Sequence, residues 1–231
     1  MRVELFFGIP EESCENVIVI DVFRSSTTII LALENGAKEV IPTGSPEEAE
    51  KVKERIGDGL LVGEELGFTP EGFDMNISPR LMTREAVSGR RMIYCSTNLM
   101  KAVLRFMDAE NLIVGALTNS SAVARYVNSL NPSRLMMVAC GFIPKKMITL
   151  EDVVGAGSII SKLRYDEASD TAVMARLVYE NEKWKEAVRE GFIANYLRKI
   201  GWGDDIDICL EEDLSNIVPV LREGSFKGVR A

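Results

Sequence analysis

Apolar positions along this chain follow two rhythms, and their alternation predicts the order of its elements. Val17-Ile18-Val19-Ile20 is apolar at both parities, as only a strand covered on both faces requires. That strand, read over 17–22, runs through Asp21 into Arg24-Ser25-Ser26-Thr27-Thr28. Apolar residues from Ile29 to Leu33 then predict a helix over about 25–35, stopped by Gly36. Further short apolar runs predict strands at 3–7, 39–41, 60–62, 91–95, 112–117 and 135–139.

Between the strands the period lengthens. Ser45-Pro46-Glu47-Glu48 reads as a cap, a proline at the first helical position and acids in the first turn. Ala49, Val52 and Ile56 then give that helix one apolar face. Helices follow Ser96-Thr97-Asn98 and Thr118-Asn119-Ser120-Ser121, and helical patterns cover about 150–163 and 168–199. Phe68 to Ile77 has no period and reads as a loop carrying Asp74, with Ser78-Pro79 opening a helix. Ile206 with Ile208, and Ile217 to Leu221, read as short edge strands. The alternation predicts an α/β fold: a layered arrangement with a largely parallel or mixed sheet flanked by helices. Residues 1–231 read as one compact unit, and 80–90 is where a boundary between two subdomains would fall.

Open parallel sheets bind ligands beyond the carboxyl ends of their strands. Those ends carry Asp21–Thr28, Gly63–Glu64, Ser96–Asn98, Thr118–Ser120 and Cys140–Gly141, a row of small, polar or acidic residues. Taken singly, each Thr-Asn pair is an ordinary helix cap. Asp21 offers a hard oxygen ligand, and Arg24 a planar fork suited to phosphate or carboxylate. The helix after Arg24 presents unpaired N–H groups to an anion. Glu64 and Asp74 supply two more carboxylates that would meet Asp21 around one cation.

Composition narrows the chemistry. The chain has no histidine, which removes Ser-His-Asp and Cys-His triads and His-ligated zinc or iron. Acids are plentiful, so Mg2+ held by oxygen ligands is the natural ion. A net charge of −8 argues against nucleic acid or an anionic membrane as partner. No run is long enough to span a membrane, and the N-terminus has no signal-peptide core. Cys14, Cys95, Cys140 and Cys209 are scattered without a C-x-x-C pair, which suits a reducing cytoplasm. Neither G-x-G-x-x-G nor G-x-x-x-x-G-K-[ST] occurs, so a nucleotide-binding reading has little support.

Asp21-Val22-Phe23-Arg24-Ser25-Ser26-Thr27-Thr28, Gly63-Glu64, Gly72-Phe73-Asp74 with Ser78-Pro79, Thr97-Asn98, and Glu151-Asp152 with Ala156-Gly157 resemble the 2-phosphosulfolactate phosphatases. The resemblance runs in order from about residue 3 to 220. It implies an α/β fold and a magnesium-dependent phosphatase that converts 2-phosphosulfolactate to sulfolactate and phosphate, a step toward coenzyme M. The resulting candidates are Asp21, Arg24 and Glu64 for catalysis and Asp21, Glu64 and Asp74 for the metal. Ser25, Ser26, Thr27, Ser78, Thr97, Asn98, Thr118 and Asn119 are the candidates for binding a small anionic phosphoester. Glu65, Ile77, Leu99 and Met100 depart from the family pattern, which implies a site with fewer cations and a bulkier turn. Attack by water is the preferred chemistry, with Asp21 as nucleophile the alternative. A phosphatase of a different small phosphoester, a non-catalytic anion-binding protein on the same scaffold, and a homodimer all remain open.

Overall fold

Burial of both faces of the central strands explains their unbroken apolar runs. In the computed structural model, which describes residues 1–231, strand β2 (Asn16–Ile20) lies between β6 (Asn111–Gly115) and β7 (Arg134–Ala139). Ile18 and Ile20 enter one hydrophobic cluster, and Val17 and Val19 enter a second on the opposite face. β1 (Arg2–Phe7) and the short β8 (Glu167–Ala168) continue this parallel half outward from β7. A second parallel group holds β3 (Glu39–Pro42), β5 (Arg91–Cys95) and β4 (Leu60–Gly63). The hairpin of β9 (Ile217–Arg222) and β10 (Ser225–Arg230) joins the two groups, antiparallel to β6 on one side and β3 on the other. One ten-stranded mixed sheet results, in the order β4-β5-β3-β10-β9-β6-β2-β7-β1-β8.

This sheet curls. β5 and β2 are five places apart, roughly 24 Å in a flat sheet at ~4.8 Å per strand. Yet the amide of Leu99, four residues beyond β5, lies 3.2 Å from a carboxylate oxygen of Asp21, at the end of β2. Eight strands line one core on the inner face, and that core also receives α1 (Ser25–Glu34) and α4 (Leu99–Arg105). α1 is buried all round from Ser25 to Leu33 because it fills the hollow. On the outer face, the core packs α5 (Ser120–Leu130), α6 (Leu150–Ile160), α7 (Asp170–Glu180), α8 (Trp184–Glu190) and α9 (Phe192–Lys199). α2 (Pro46–Ile56) covers β4 and β5 through Ala49 and Val52, and Ser45 caps it by accepting the Glu48 amide at 3.2 Å.

Several elements differ from the sequence expectation. Ile206 and Ile208 lie in a helix, α10 (Asp205–Cys209), where Asp205, Ile206 and Cys209 are buried together. The helical pattern over 168–199 breaks into three helices at Asn181–Lys183 and Gly191. Ile217 to Leu221 forms β9 as expected, but in the middle of the sheet rather than at its edge. Its partner β10 gives no apolar run to read, because Lys227 and Val229 are only partly covered and Gly228 and Arg230 are exposed. Ser78-Pro79 opens a single 3-10 turn, Pro79–Leu81, ahead of the short α3 (Arg84–Val87). No helix is long and apolar enough to cross a membrane.

Candidate active site

The curl brings the carboxyl ends of β2, β4, β5 and β7 around one pocket. Asp21, Arg24, Ser25, Glu64, Thr97, Asn98, Gly141, Glu151 and Asp152 form its polar wall; Phe23, Ile77, Phe142, Ile193 and Leu197 form its apolar wall. Free space at the centre is about 40 Å³, room for only a few water molecules.

The anion-seeking wall is built on the N-terminus of α1. Ser26 Oγ accepts the Asp21 amide at 2.9 Å, and Thr27 Oγ1 donates to the Val22 carbonyl at 3.2 Å. Thr28 Oγ1 donates to the carbonyls of Arg24 and Ile77. These hydroxyls pin the turn, and the amides of Ser25 and Thr27 are left without a protein acceptor, as at any helix start. Beside them lies Arg24, 2% exposed and reached from Phe23 through a cis peptide bond. Its guanidinium makes one protein hydrogen bond, from Nη1 to Asp205 Oδ2 at 2.9 Å, and stacks 4.9 Å from the Trp202 ring. Four of about five N–H donors therefore remain unpaired.

The rest of the polar lining is acidic. Glu64 is held in place: its Oε1 accepts the Thr97 amide at 2.6 Å, and Oε2 accepts the Gly67 amide at 2.5 Å and the Thr97 hydroxyl at 3.0 Å. Asp21 Oδ2 accepts only the Leu99 amide. Asp152 ties two strand ends together, accepting the Val22 amide at 2.7 Å and the Gly141 amide at 2.8 Å. Close approach of α6 makes this reach possible. A Cβ at Gly155 would stand 2.6 Å from Val22 Cγ2, and one at Gly157 only 2.1 Å from the Ala175 carbonyl oxygen. Burial pushes the Asp21 carboxyl well above its ordinary range, and the charges of Asp152, Glu64 and Glu151 push it further. Burial first and Asp152 second push Glu151 up to about 8. Asp152 rises to about 6, because burial outweighs its two amide donors. Burial also lifts the thiols of Cys95, to about 12, and Cys140, which removes both as nucleophiles at neutral pH.

The C-terminal segment and the loop after Glu64 close the roof. Tyr196 Oη donates to the Leu66 carbonyl at 2.8 Å, and Trp202 Nε1 donates to the Gly67 carbonyl at 3.1 Å. Gly67 has φ +86, and a Cβ there would meet Ile200 Cδ1 at 2.3 Å. Only glycine fits that contact.

Of the residues expected from sequence, Asp21, Arg24, Ser25, Glu64, Thr97 and Asn98 share the pocket. Ser26 and Thr27 support the turn from behind. Ser78 lies one step back as well, its Oγ donating to Asp205 Oδ1 at 2.6 Å. Asp74 stands apart: its Oδ2 accepts the Leu61 amide at 2.8 Å and Lys53 Nζ at 2.9 Å. Leu61 is three residues before Glu64, about 10 Å along the strand, so Asp74 does not join the other two acids. Partial burial raises its carboxyl, but the Leu61 amide and Lys53 together hold it below its ordinary value. Thr118 and Asn119 are also elsewhere. Asn119 accepts the Ala116 amide and donates to the Val114 and Ile217 carbonyls, stitching β6 to β9. Leu99 and Met100 point into the core and do not crowd the pocket; Glu65 is exposed outside it, and Ile77 alone of the departures lines it.

Three site residues were not among the sequence candidates, although Glu151-Asp152 stands among the motifs of the family resemblance. Glu151 and Asp152 are the sole acids in the otherwise apolar first turns of α6, and that incongruity marks them. Asp205 sits among Asp204 and Asp207 and looks like one more surface acid, although it is 1% exposed.

The sequence model of the family described as 2-phosphosulpholactate phosphatase matches residues 8–224. A protein of Caldanaerobacter subterraneus subsp. tengcongensis named "Probable 2-phosphosulfolactate phosphatase" is 35% identical over 218 residues, 91% of this chain and 89% of its own length. Proteins given the same name in Clostridium novyi and Thermotoga maritima are each 34% identical, over 229 and 216 residues. The first alignment covers 95% of this chain and 96% of the relative, and the second 92% of each.

Proposed function

The chain belongs to the 2-phosphosulpholactate phosphatase family, and on that premise we propose that its pocket hydrolyses 2-phosphosulfolactate to sulfolactate and phosphate with Mg2+. We place this step in the synthesis of coenzyme M, in a reducing cytoplasm. One observation carries the reading: a buried arginine with unused donors and an open helix N-terminus line the same small pocket as four buried carboxylates. The first wall suits a phosphoryl group, the second a cation, and a phosphoester–Mg2+ pair needs both at once.

The residues present fit magnesium. Asp21, Glu64, Glu151 and Asp152 crowd together with Arg24 as the only cationic side chain lining the pocket, and Arg24 is already paired with Asp205. No three acids, cysteines or histidines form a ready-made metal cage. Mg2+ does not require one, since it keeps several waters and takes one or two carboxylates plus substrate phosphate. Asp21, which has a single donor, and Glu64, whose position is fixed, are the residues that would hold it. When bound, the ion supplies charge neutralisation at the phosphoryl oxygens and a more acidic water.

The chain's own groups do the rest. Arg24 and the Ser25 amide bind the phosphoryl oxygens and hold the developing charge in line. Asp152 keeps the β2 and β7 ends in register. Glu151, pushed up to about 8, keeps a proton at neutral pH and gives it to the leaving oxygen of sulfolactate. Water is the attacking group. The test is phosphate release from 2-phosphosulfolactate and from simpler phosphoesters, with Mg2+ and with EDTA. The proposal expects Mg2+-dependent release with 2-phosphosulfolactate preferred. Ligand-induced thermal stabilisation without release from any ester would favour a binding protein instead.

A further inference from the structure

The Arg24–Asp205 pair is buried on both sides, at 2% and 1% exposure, and joins α1 to a helix 181 residues away in sequence. Such a pair is a poor device for stability, because desolvating two charges cancels most of their attraction. Its place at the pocket wall gives it another use. The Arg24 backbone is fixed by α1, but its side chain is oriented only by Asp205 and the face of Trp202. Asp205 is itself prevented from turning, since Ser78 Oγ donates to its other oxygen at 2.6 Å. Four carboxylates line the same pocket and offer alternative partners for the guanidinium.

We infer that Asp205 is a positioning residue: braced by Ser78, it holds Arg24 off the pocket carboxylates so that the unused N–H donors face an incoming phosphoryl group. This rests on the reading of the pocket as a phosphoryl site. Without Asp205, Arg24 swings toward Asp21 and its neighbours, and one displacement spoils both walls. The anion loses its clamp and the cation loses free ligands.

The experiment is a double-mutant cycle on the full chain, using Asp205→Asn, Arg24→Ala and the double variant. Affinity for inorganic phosphate is measured calorimetrically in saturating MgCl2, alongside KM, kcat and Tm. Asn keeps the shape and one acceptor but not the charge. Phosphate affinity should fall roughly 10- to 100-fold in Asp205→Asn, as for loss of a charge-assisted contact. In the Arg24→Ala background, Asp205→Asn should cost nothing further, because its only route to phosphate is gone. Should Asp205→Asn not fold, Ser78→Ala leaves the ion pair in place and should weaken phosphate in the same direction by a smaller factor. An equal loss in both backgrounds, or unchanged affinity in Asp205→Asn or Ser78→Ala, overturns the inference. If the unmodified protein does not bind phosphate at all, the phosphoryl-site reading falls, and this inference with it.

Discussion

The acid cluster makes the stability of the metal-free protein fall as pH rises through neutrality. Glu151 has an ordinary value of 4.5 and is pushed up to about 8 in the fold. Between those values the folded chain holds a proton that the unfolded chain has released, so this group's contribution is complete below 4.5 and is lost as pH climbs to about 8. Each such proton changes stability by about 1.4 kcal/mol per pH unit, so one proton over pH 6–8 amounts to roughly 3 kcal/mol. For a chain of this size that is a fall in Tm of roughly 6–12 °C. Burial raises Asp21 in the same direction. Carboxyls held below their ordinary value, such as Glu39 beside Lys227, are ionised throughout this window and do not compensate. The assay is calorimetric or fluorescence melting in EDTA at half-unit steps from pH 6 to 8, repeated in saturating Mg2+. The ion supplies the positive charge that the protons supplied, so Mg2+ should stabilise more at pH 8 than at pH 6 and flatten the slope. A Tm in EDTA that is level or rising across the window would refute the burial and mutual repulsion assigned to these carboxylates.

Other substitutions probe single contacts. Asp152→Ala leaves the buried amides of Val22 and Gly141 without partners, at about 1–3 kcal/mol each, so urea unfolding should show a loss of roughly 2–6 kcal/mol; a loss under 1 kcal/mol would contradict the bridging role. Asp74→Ala should leave Mg2+ affinity and turnover within about twofold of the parent, since Asp74 lies outside the pocket. A tenfold loss in either would return it to the metal set. Thr118 Oγ1 is buried without a hydrogen-bond partner, so Thr118→Val should be neutral or stabilising by up to about 1 kcal/mol, with unchanged kcat/KM.

Much of this architecture is readable in the amino-acid order because it follows from local rules. Val17 to Ile20 had to be covered on both faces, and Ser45-Pro46 had to start a helix. Polar residues beyond the β2, β4 and β5 ends marked the edge where the pocket lies. What was hidden depends on the curl. Nothing local shows that Leu99 meets Asp21 across five strand positions, nor that β6 turns its Thr118-Asn119 away from the pocket while β5 turns Thr97-Asn98 toward it. Asp74 misleads because its loop folds back along β4 to Leu61 instead of continuing past Glu64. Ile206 and Ile208 alternate like a strand, but Asp205 reaches Arg24 only from a helix whose buried side also carries Cys209. β9 looks like an edge because its short run stands alone near the C-terminus; its central position is settled by β6, distant in sequence, on one side and by its hairpin partner β10 on the other.

Crystals grown with Mn2+ and orthovanadate test most directly whether the cation and the phosphoryl group meet in this pocket. Anomalous scattering at the manganese edge should give one peak between Asp21 and Glu64, with vanadate oxygens on the Arg24 guanidinium and the Ser25 amide. A manganese peak at Asp74 and Lys53, or vanadate bound away from Arg24, would contradict the account.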